Sequence, residues 1–321
     1  MRINGPDPYQ DEPASSSANH REKTINIDII LLIENIISGR PQTCNPNKKN
    51  GVPSVKSIAS NCLERVRRER PLVHHLTNWV TIYDCANIVK VFGGSPVMAH
   101  AREEVADMAG IADALVLNIG TLTSEFVESM IIAGKSANNK GIPVVLDVCG
   151  AGATSFRDRK CFEILDSIAV GIIKGNSSEI ARIAGESVST KGVDASAVEK
   201  DMGRIARALA EQRSCTVVVT GEEDIVADGR RIWLVGNGHA MMANIVGTGC
   251  MAASVIGTFA AEEKDTLAAS AAGLVCYEVA AEIAAKEARG PGSFKERLFD
   301  AAFHLDGEMV RRMEKVERKK G

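Results

Sequence analysis

The sequence predicts an α/β fold in three layers, with a mostly parallel central sheet covered by helices on both faces. Three observations lead there. From about residue 55 onward, short β-branched runs alternate with longer helical stretches, the pattern of layered α/β architecture. The short runs are continuously apolar, as strands buried on both faces require. At 321 residues the chain is also long enough for one large core, since single α/β domains of about 250 residues are common.

Residues 1–55 stand apart from that pattern. They hold six of the ten prolines, a Ser15-Ser16-Ser17 run and a polar cluster over 45–51. This composition predicts a mostly disordered extension with one short amphipathic helix over 25–37. The alternative is a docking or targeting element, though the acidic residues within it weaken a transit peptide.

The strands are expected at 72–76, 114–119, 144–146, 171–173 and 216–219, with helices at 101–111, 126–139 and 198–211 between them. Residues 225–227 and 231–235 flank Asp228-Gly229, which predicts a β-hairpin with a type I′-compatible turn. Residues 56–310 thus read as one domain. The tail over 311–321 carries six basic groups and two glutamates, and reads as a frayed, solvated helix end.

Charge and composition exclude several function classes. The chain has 38 basic and 41 acidic residues, a formal charge of −3, which makes no electrostatic case for nucleic acid or an anionic membrane. An aromatic content of 4% argues against a base-stacking platform. The eight cysteines form no C-x-x-C pair, and several sit in apolar runs as small hydrophobes do. With no secretory signal, they predict free thiols in a reducing, cytoplasmic compartment. No uninterrupted apolar stretch approaches the ~20 residues of a membrane helix. His74, His75, His100 and His239 show no metal-ligand spacing with cysteine or carboxylate, so a zinc site is not supported.

In a parallel sheet, ligands collect beyond the carboxyl ends of the strands, so the residues after each apolar run carry most information. Four loops stand out. In the first, Gly247-Thr248-Gly249-Cys250 opens an apolar helix. Its glycines admit an anion, and the helix start offers free amides and a positive dipole end suited to a phosphoryl group in flight. Cys250 falls in the first helical turn, where the dipole favours its thiolate. The same residues also suit a tight packing turn with Cys250 as a buried spacer.

In the second loop, Lys174-Gly175-Asn176-Ser177-Ser178-Glu179 sets a cation, an amide and a carboxylate on one strand-to-helix turn. These could face phosphate and hydrated Mg²⁺ together, because Mg²⁺ keeps several waters and takes only one or two carboxylates. Alternatively, Glu179 merely complements the helix dipole. In the third, Asp147 ends an apolar strand, either as a second metal-side carboxylate or as a turn-initiating residue. In the fourth, Thr220 ends the strand before the hairpin, either as a hydrogen-bond donor to nucleotide or as an ordinary strand-end threonine.

Together these loops resemble a known family. From about residue 71 to 304 the chain is similar to hydroxyethylthiazole kinase, the thiazole-salvage enzyme of thiamine biosynthesis. The likeness is carried in order by PLVHHLTN (71–78), GSPVMAH (94–100), ADALVLNIGTL (112–122), GNSSEI (175–180), VGTGC (246–250) and ARGPGSF (288–294). No loop is specific alone, but the ordered set is.

The resemblance implies a ribokinase-like core, ATP with Mg²⁺, phosphorylation of the primary hydroxyl of 4-methyl-5-(2-hydroxyethyl)thiazole, and a homotrimer with sites near subunit boundaries. Carried over by position, Met98 and Gly247 match substrate contacts and Asn78 would line the thiazole pocket. Lys174 and Thr220 match ATP contacts, with Asn176 beside them. Asp147 and Glu179 match the acidic pair on the metal side. Cys250, after the Thr248 and Gly249 amides, stands where most ribokinase-like enzymes have an aspartate base.

Three departures bear on that reading. Lys174 replaces the family's usual arginine, so a forked phosphate contact becomes a point charge. Val148-Cys149 stands where the family usually reads Pro-Val. The first 55 residues have no counterpart. A hydroxymethylpyrimidine kinase, a sugar kinase or an NAD(P)H-hydrate dehydratase of the same fold would have aspartate at position 250, and a degenerate ATP-binding regulatory protein is the non-enzymatic alternative.

Overall fold

The computed structural model describes residues 57–186 and 195–320. The extension expected over 1–55 lies outside them.

Nine strands form one sheet. In chain order they are β1 (Leu72–Leu76), β2 (Ser95–Val97), β3 (Ala114–Asn118), β4 (Val144–Asp147), β5 (Ile172–Asn176), β6 (Thr216–Thr220), β7 (Asp224–Ala227), β8 (Arg231–Val235) and β9 (Val316–Lys320). In space the order is β2-β1-β3-β4-β5-β6-β7-β8-β9. The pairs from β2 to β6 are parallel, and those from β6 to β9 are antiparallel. All five expected parallel strands are present, most of them running one to three residues further toward the loop end.

Helices cover both faces, and the strand side chains divide between them as the pleat dictates. On one face, Val73, Val116, Val145, Ile172 and Val218 pack under α1 (Ile58–Glu69), α2 (Ile82–Phe92), α8 (Thr248–Ala260), α9 (Thr266–Ala285), α10 (Pro291–His304) and α11 (Gly307–Met313). On the other, Leu115, Leu117, Leu146, Ile173 and Val217 pack under α3 (Val105–Ile111), α4 (Ser124–Lys140), α5 (Ser155–Ser167), α6 (Ser177–Ile183) and α7 (Ala195–Arg213). Double coverage explains why the strands are apolar throughout rather than alternating.

Two local readings are corrected. The hairpin is present, but its turn is not type I′, because neither Gly229 nor Arg230 adopts the positive φ that type demands. Instead the Asp228 carboxylate accepts from the Arg230 and Arg231 amides at 2.7 and 2.6 Å, fixing a side-chain-capped turn. The C-terminal tail is not a frayed helix end. α11 stops at Met313, and β9 pairs with β8 from Val235↔Val316 to Arg231↔Lys320, with Arg318 4.5 Å over the Trp233 ring. Strand pairing satisfies the backbone there, while the basic side chains keep the sheet edge charged.

The membrane expectation also needs amendment. Among the described residues one helix, α9, is long and apolar enough to span a bilayer by length and composition, yet 89% of its apolar 18-residue stretch is buried within the protein. Its all-round apolarity is that of a core helix, packed between α8 and α10.

Candidate active site

Because β2 to β6 run in parallel, their carboxyl ends lie along one edge of the sheet. That edge carries, in spatial order, Met98 after β2, Asn78 after β1, Asn118 ending β3, Asp147 ending β4, Lys174 and Asn176 in β5, and Thr220 ending β6. The N-terminus of α8 meets the middle of this row. Gly247 is its N-cap, in the left-handed region at φ +97°, with no side chain capping the first turn. A Cβ at Gly247 would come within 2.5 Å of Thr81 Cγ2, so glycine is required both for the turn and for space.

Cys250 is tied to the row by two amides. Asn78 Nδ2 and Asn118 Nδ2 lie 3.3 and 3.4 Å from its sulfur. Asn118 Nδ2 also donates to Asp147 Oδ2 at 2.7 Å, and Asn118 Oδ1 accepts from Asn78 at 3.0 Å and from the Gly120 amide at 2.9 Å. Asn78 in turn accepts from the Val80 and Thr81 amides and the Thr81 hydroxyl, each at 3.1 Å. Asn78 is thus buried and held on all sides.

Lys174 is buried with its Nζ 3.4 Å from Asp147 Oδ1. A Cβ built on Gly249 would stand 3.1 Å from that nitrogen, so the ammonium lies against the α8 N-terminus. Burial raises the Asp147 carboxyl to about 7, with Lys174 opposing the rise and the Cys250 and Glu179 charges adding to it. Burial alone would lower Lys174, but the surrounding acidic groups, Asp147 first, hold it above its usual range. The Cys250 thiol is lowered to about 5, chiefly by a hydrogen bond from the Cys149 thiol and further by Thr81, Lys174 and Asn78, against the effect of burial.

Glu179 closes a capping box with Asn176 on α6: each side chain accepts from the other's amide. Its second oxygen accepts from Gly150 N at 2.7 Å, binding the loop after β4 to the loop after β5. Both oxygens therefore serve the backbone, each keeping a further lone pair free. Thr248 directs its hydroxyl to Met242 O at 3.1 Å, and its carbonyl accepts from Tyr277 at 3.2 Å.

A cleft of about 1010 Å³ opens beside this cluster. Asn176, Thr220, Thr248 and Gly249 line it, together with Gly238, His239 and Ala240. Asp224 and Glu278, both buried, belong to the same lining. Burial pushes both carboxyls up.

The model of the hydroxyethylthiazole kinase family matches residues 63–308. The chain belongs to that family. A hydroxyethylthiazole kinase of Methanosarcina mazei is 55% identical over 257 residues, which cover 80% of this chain and 98% of that protein. One from Chloroflexus aggregans is 50% identical over 248 residues, covering 77% and 89%. The solved structure of a hydroxyethylthiazole kinase protein from Pyrococcus horikoshii OT3 superposes with a TM-score of 0.76 at 41% identity, covering 82% of this chain and 99% of that one. A ribokinase-like superfamily protein from Enterococcus faecalis V583, 13% identical with a TM-score of 0.52 over 78% of this chain and 90% of that one, shares the fold. The fold is ribokinase-like.

Of the residues singled out by sequence, the structure brings Asn78, Asp147, Lys174, Gly249 and Cys250 into one contact network, with Gly247 shaping its turn. Thr220, Asn176 and Thr248 share the cleft. Glu179 joins through the Gly150 amide. Met98, half-buried, takes its place at the far end of the row, two strands from Asn118, by position on the sheet edge rather than by a bond to the network. Sequence reasoning missed the function of Asn118. Its signal was present: an amide closing the apolar strand β3 has no more packing reason than Asp147 closing β4. Thr81, Cys149 and the Asp224–Glu278 pair carried no such signal, since each acquires meaning only from a distant neighbour.

Proposed function

We propose that this enzyme transfers the γ-phosphoryl group of ATP to the primary hydroxyl of 4-methyl-5-(2-hydroxyethyl)thiazole. Membership of a kinase family supports the donor, and the names of the relatives support the acceptor. The observation that carries the reading is the convergence of the α8 N-terminus, Lys174, Asp147 and Cys250 beside one cleft.

The residues fit a hydrated Mg²⁺. Asp147 offers a buried carboxylate at the sheet edge and Glu179 has lone pairs left after its two amide contacts, so both would hold the ion through water. When bound, the ion supplies positive charge against the β- and γ-phosphates. Lys174 adds a second, fixed cation from the protein side. The Thr248 to Cys250 amides and the helix dipole stabilise the phosphoryl oxygens as charge spreads over them. Cys250 receives or orients the substrate hydroxyl. A loose transition state needs little base assistance, so a thiolate already held by two amides is sufficient. Met98 sets a polarisable thioether toward a sulfur-containing ring, a contact that needs no hydrogen bond.

The homotrimer belongs to the same proposal. Trp79, Val80, Tyr83 and Val246 are 50–76% exposed and flank Asn78, Thr81 and Gly247 in sequence, an apolar rim that a neighbouring subunit would cover.

The test is a coupled assay with hydroxyethylthiazole and Mg-ATP, beside hydroxymethylpyrimidine and pyridoxal as acceptors. Turnover with the thiazole alone is expected. ATP binding without turnover on any acceptor would replace the kinase reading with the regulatory one.

A further inference from the structure

Arg157 stands where its own helix does not favour it. It is the third residue of α5, after the Thr154 N-cap whose hydroxyl accepts from its amide at 3.3 Å. The positive end of the helix dipole suits a carboxylate at that position and opposes a cation. The guanidinium reaches back to the sheet edge instead. Its Nη1 donates to Ile119 O at 2.8 Å and to Cys149 O at 3.1 Å, and its Nη2 donates to Gly120 O at 2.7 Å. One planar fork thus joins two loops, the one after β3 and the one after β4. A Cβ on Gly150, at φ +80°, would stand 3.0 Å from Nη1, so the β4 loop offers bare backbone to the guanidinium.

Both loops carry groups of the site. On the β3 side the Gly120 amide donates to Asn118 Oδ1 at 2.9 Å. That bond helps set which way the Asn118 carboxamide faces. Its Nδ2 then points to Asp147 Oδ2 at 2.7 Å and to the Cys250 sulfur at 3.4 Å. On the β4 side the Gly150 amide donates to Glu179 Oε1 at 2.7 Å. Arg157 itself is half-buried and does not line the cleft.

We infer that Arg157 is a positioning residue for phosphoryl transfer: its guanidinium clamps the β3 and β4 loops together, so that Asn118 holds its amide toward Asp147 and Cys250. Its effect on turnover rests on the kinase reading above, whereas the clamp itself does not. Arginine is required here and not simply a cation. Three carbonyls on two loops call for donors spread in one plane, and the lysine ammonium is a point charge with no fixed fork. Without the clamp the Gly120 amide is free to turn to water, and Asn118 Oδ1 loses one of the donors that orient it.

Steady-state kinetics of the full chain with Mg-ATP and hydroxyethylthiazole give the first test. Arg157→Ala should lower kcat by about tenfold or more, while KM for either substrate moves by less than about threefold. Arg157→Lys keeps the charge and most of the stem, and should still lose about fivefold in kcat. Wild-type kcat in the lysine variant overturns the clamp, since charge and packing would then suffice. A loss confined to KM overturns it too. A double-mutant cycle adds a readout that general loosening would not give. Because Arg157 acts through Asn118, Arg157→Ala combined with Asn118→Leu should stay within about twofold of the slower single variant. Losses that multiply overturn the proposal.

Hydrogen exchange read by mass spectrometry decides the clamp without any turnover, and the lysine variant serves if the alanine variant fails to fold. Amides over 118–121 should exchange about tenfold faster in Arg157→Lys than in wild type, with those of the β3 core over 114–117 unchanged. Equal exchange over 118–121 in the two proteins overturns the clamp. If wild type turns over no thiazole while 118–121 exchanges faster in the variant, the clamp stands and only the kinase reading falls.

Discussion

The side-chain amide of Asn118 donates to Asp147 Oδ2 at 2.7 Å while its nitrogen lies 3.4 Å from the sulfur of Cys250. One residue thereby links the carboxylate proposed for the metal side to the thiol proposed to meet the substrate. Replacing it with leucine keeps the volume and removes both donors. Leaving a buried charged acceptor unpartnered costs roughly 1–3 kcal/mol, so Asn118→Leu should lower kcat by about tenfold to a hundredfold. The KM for the thiazole should change less. An unaltered kcat would show that Asn118 only packs.

Gly249 sits where any side chain would meet the Lys174 ammonium, with a Cβ 3.1 Å from Nζ. Alanine can be accommodated by a small shift of the flexible lysine. Valine cannot, and it also fills the space in front of the helix amides. We expect Gly249→Val to lose about two orders of magnitude in kcat, the scale for removing one preorganised donor, with the circular dichroism spectrum unchanged. Turnover within twofold of wild type would remove the anion-stabilising function from this turn.

Cys250 is approached by two amide donors, and a carboxylate can accept from both. Cys250→Asp should therefore keep turnover within about tenfold of wild type or raise it, since a carboxylate is a competent proton acceptor. Cys250→Ala leaves the Asn78 and Asn118 donors without their acceptor and should fall further. If the aspartate variant binds ATP but is inactive while the alanine variant is not, Cys250 neither accepts the proton nor orients the hydroxyl.

At Gly247 the requirement is conformational. An L-residue in the left-handed region costs roughly 1–2 kcal/mol, and the Thr81 contact at 2.5 Å adds to it. For Gly247→Ala this corresponds to a fall in Tm of roughly 5 °C or more. Gly141, also at positive φ but with nothing within 4 Å of its Cβ, is the control, and its alanine variant should lose less. Equal losses at the two positions would mean that the Thr81 contact relaxes freely.

Asp147 titrates near 7 in the folded protein against an ordinary 3.8, because burial outweighs the attraction of Lys174. Between those two values the folded chain holds more of a proton at this position than the unfolded chain does. Its contribution to stability is therefore fully present below about 4 and is lost as pH rises toward 7. In metal-free protein, wild type should lose stability relative to Asp147→Asn across that window, as thermal melts at a series of pH values would show. Parallel curves for the two proteins would mean that Asp147 is ionised throughout.

Much of the sheet was legible because burial on both faces leaves a local mark, an unbroken apolar run such as that at 114–117. The hairpin shows the limit of local rules. Asp228-Gly229 suits a type I′ turn by propensity, yet the Asp228 carboxylate caps two amides and fixes a different turn. β9 was illegible for a related reason. Val316–Lys320 is mostly charged, and its strand conformation comes from pairing with β8 rather than from its own sequence. At the site, Cys250, Asp147 and Lys174 could be read because each interrupts an apolar context at a strand end or helix start. Asn118 obeyed the same rule and was overlooked.

The sequence by itself determined five of the six parallel strands and the hairpin, and it pointed to their loop ends and to Gly247 and Gly249 as the places to look for chemistry. The tertiary structure alone decided which of those loop ends are neighbours. Strand order depends on how each crossover packs across the sheet, a long-range outcome that local periodicity does not encode. Placing β3 between β1 and β4 sets Asn118 between Asn78 and Asp147, and the seating of α8 brings Cys250 against both amides.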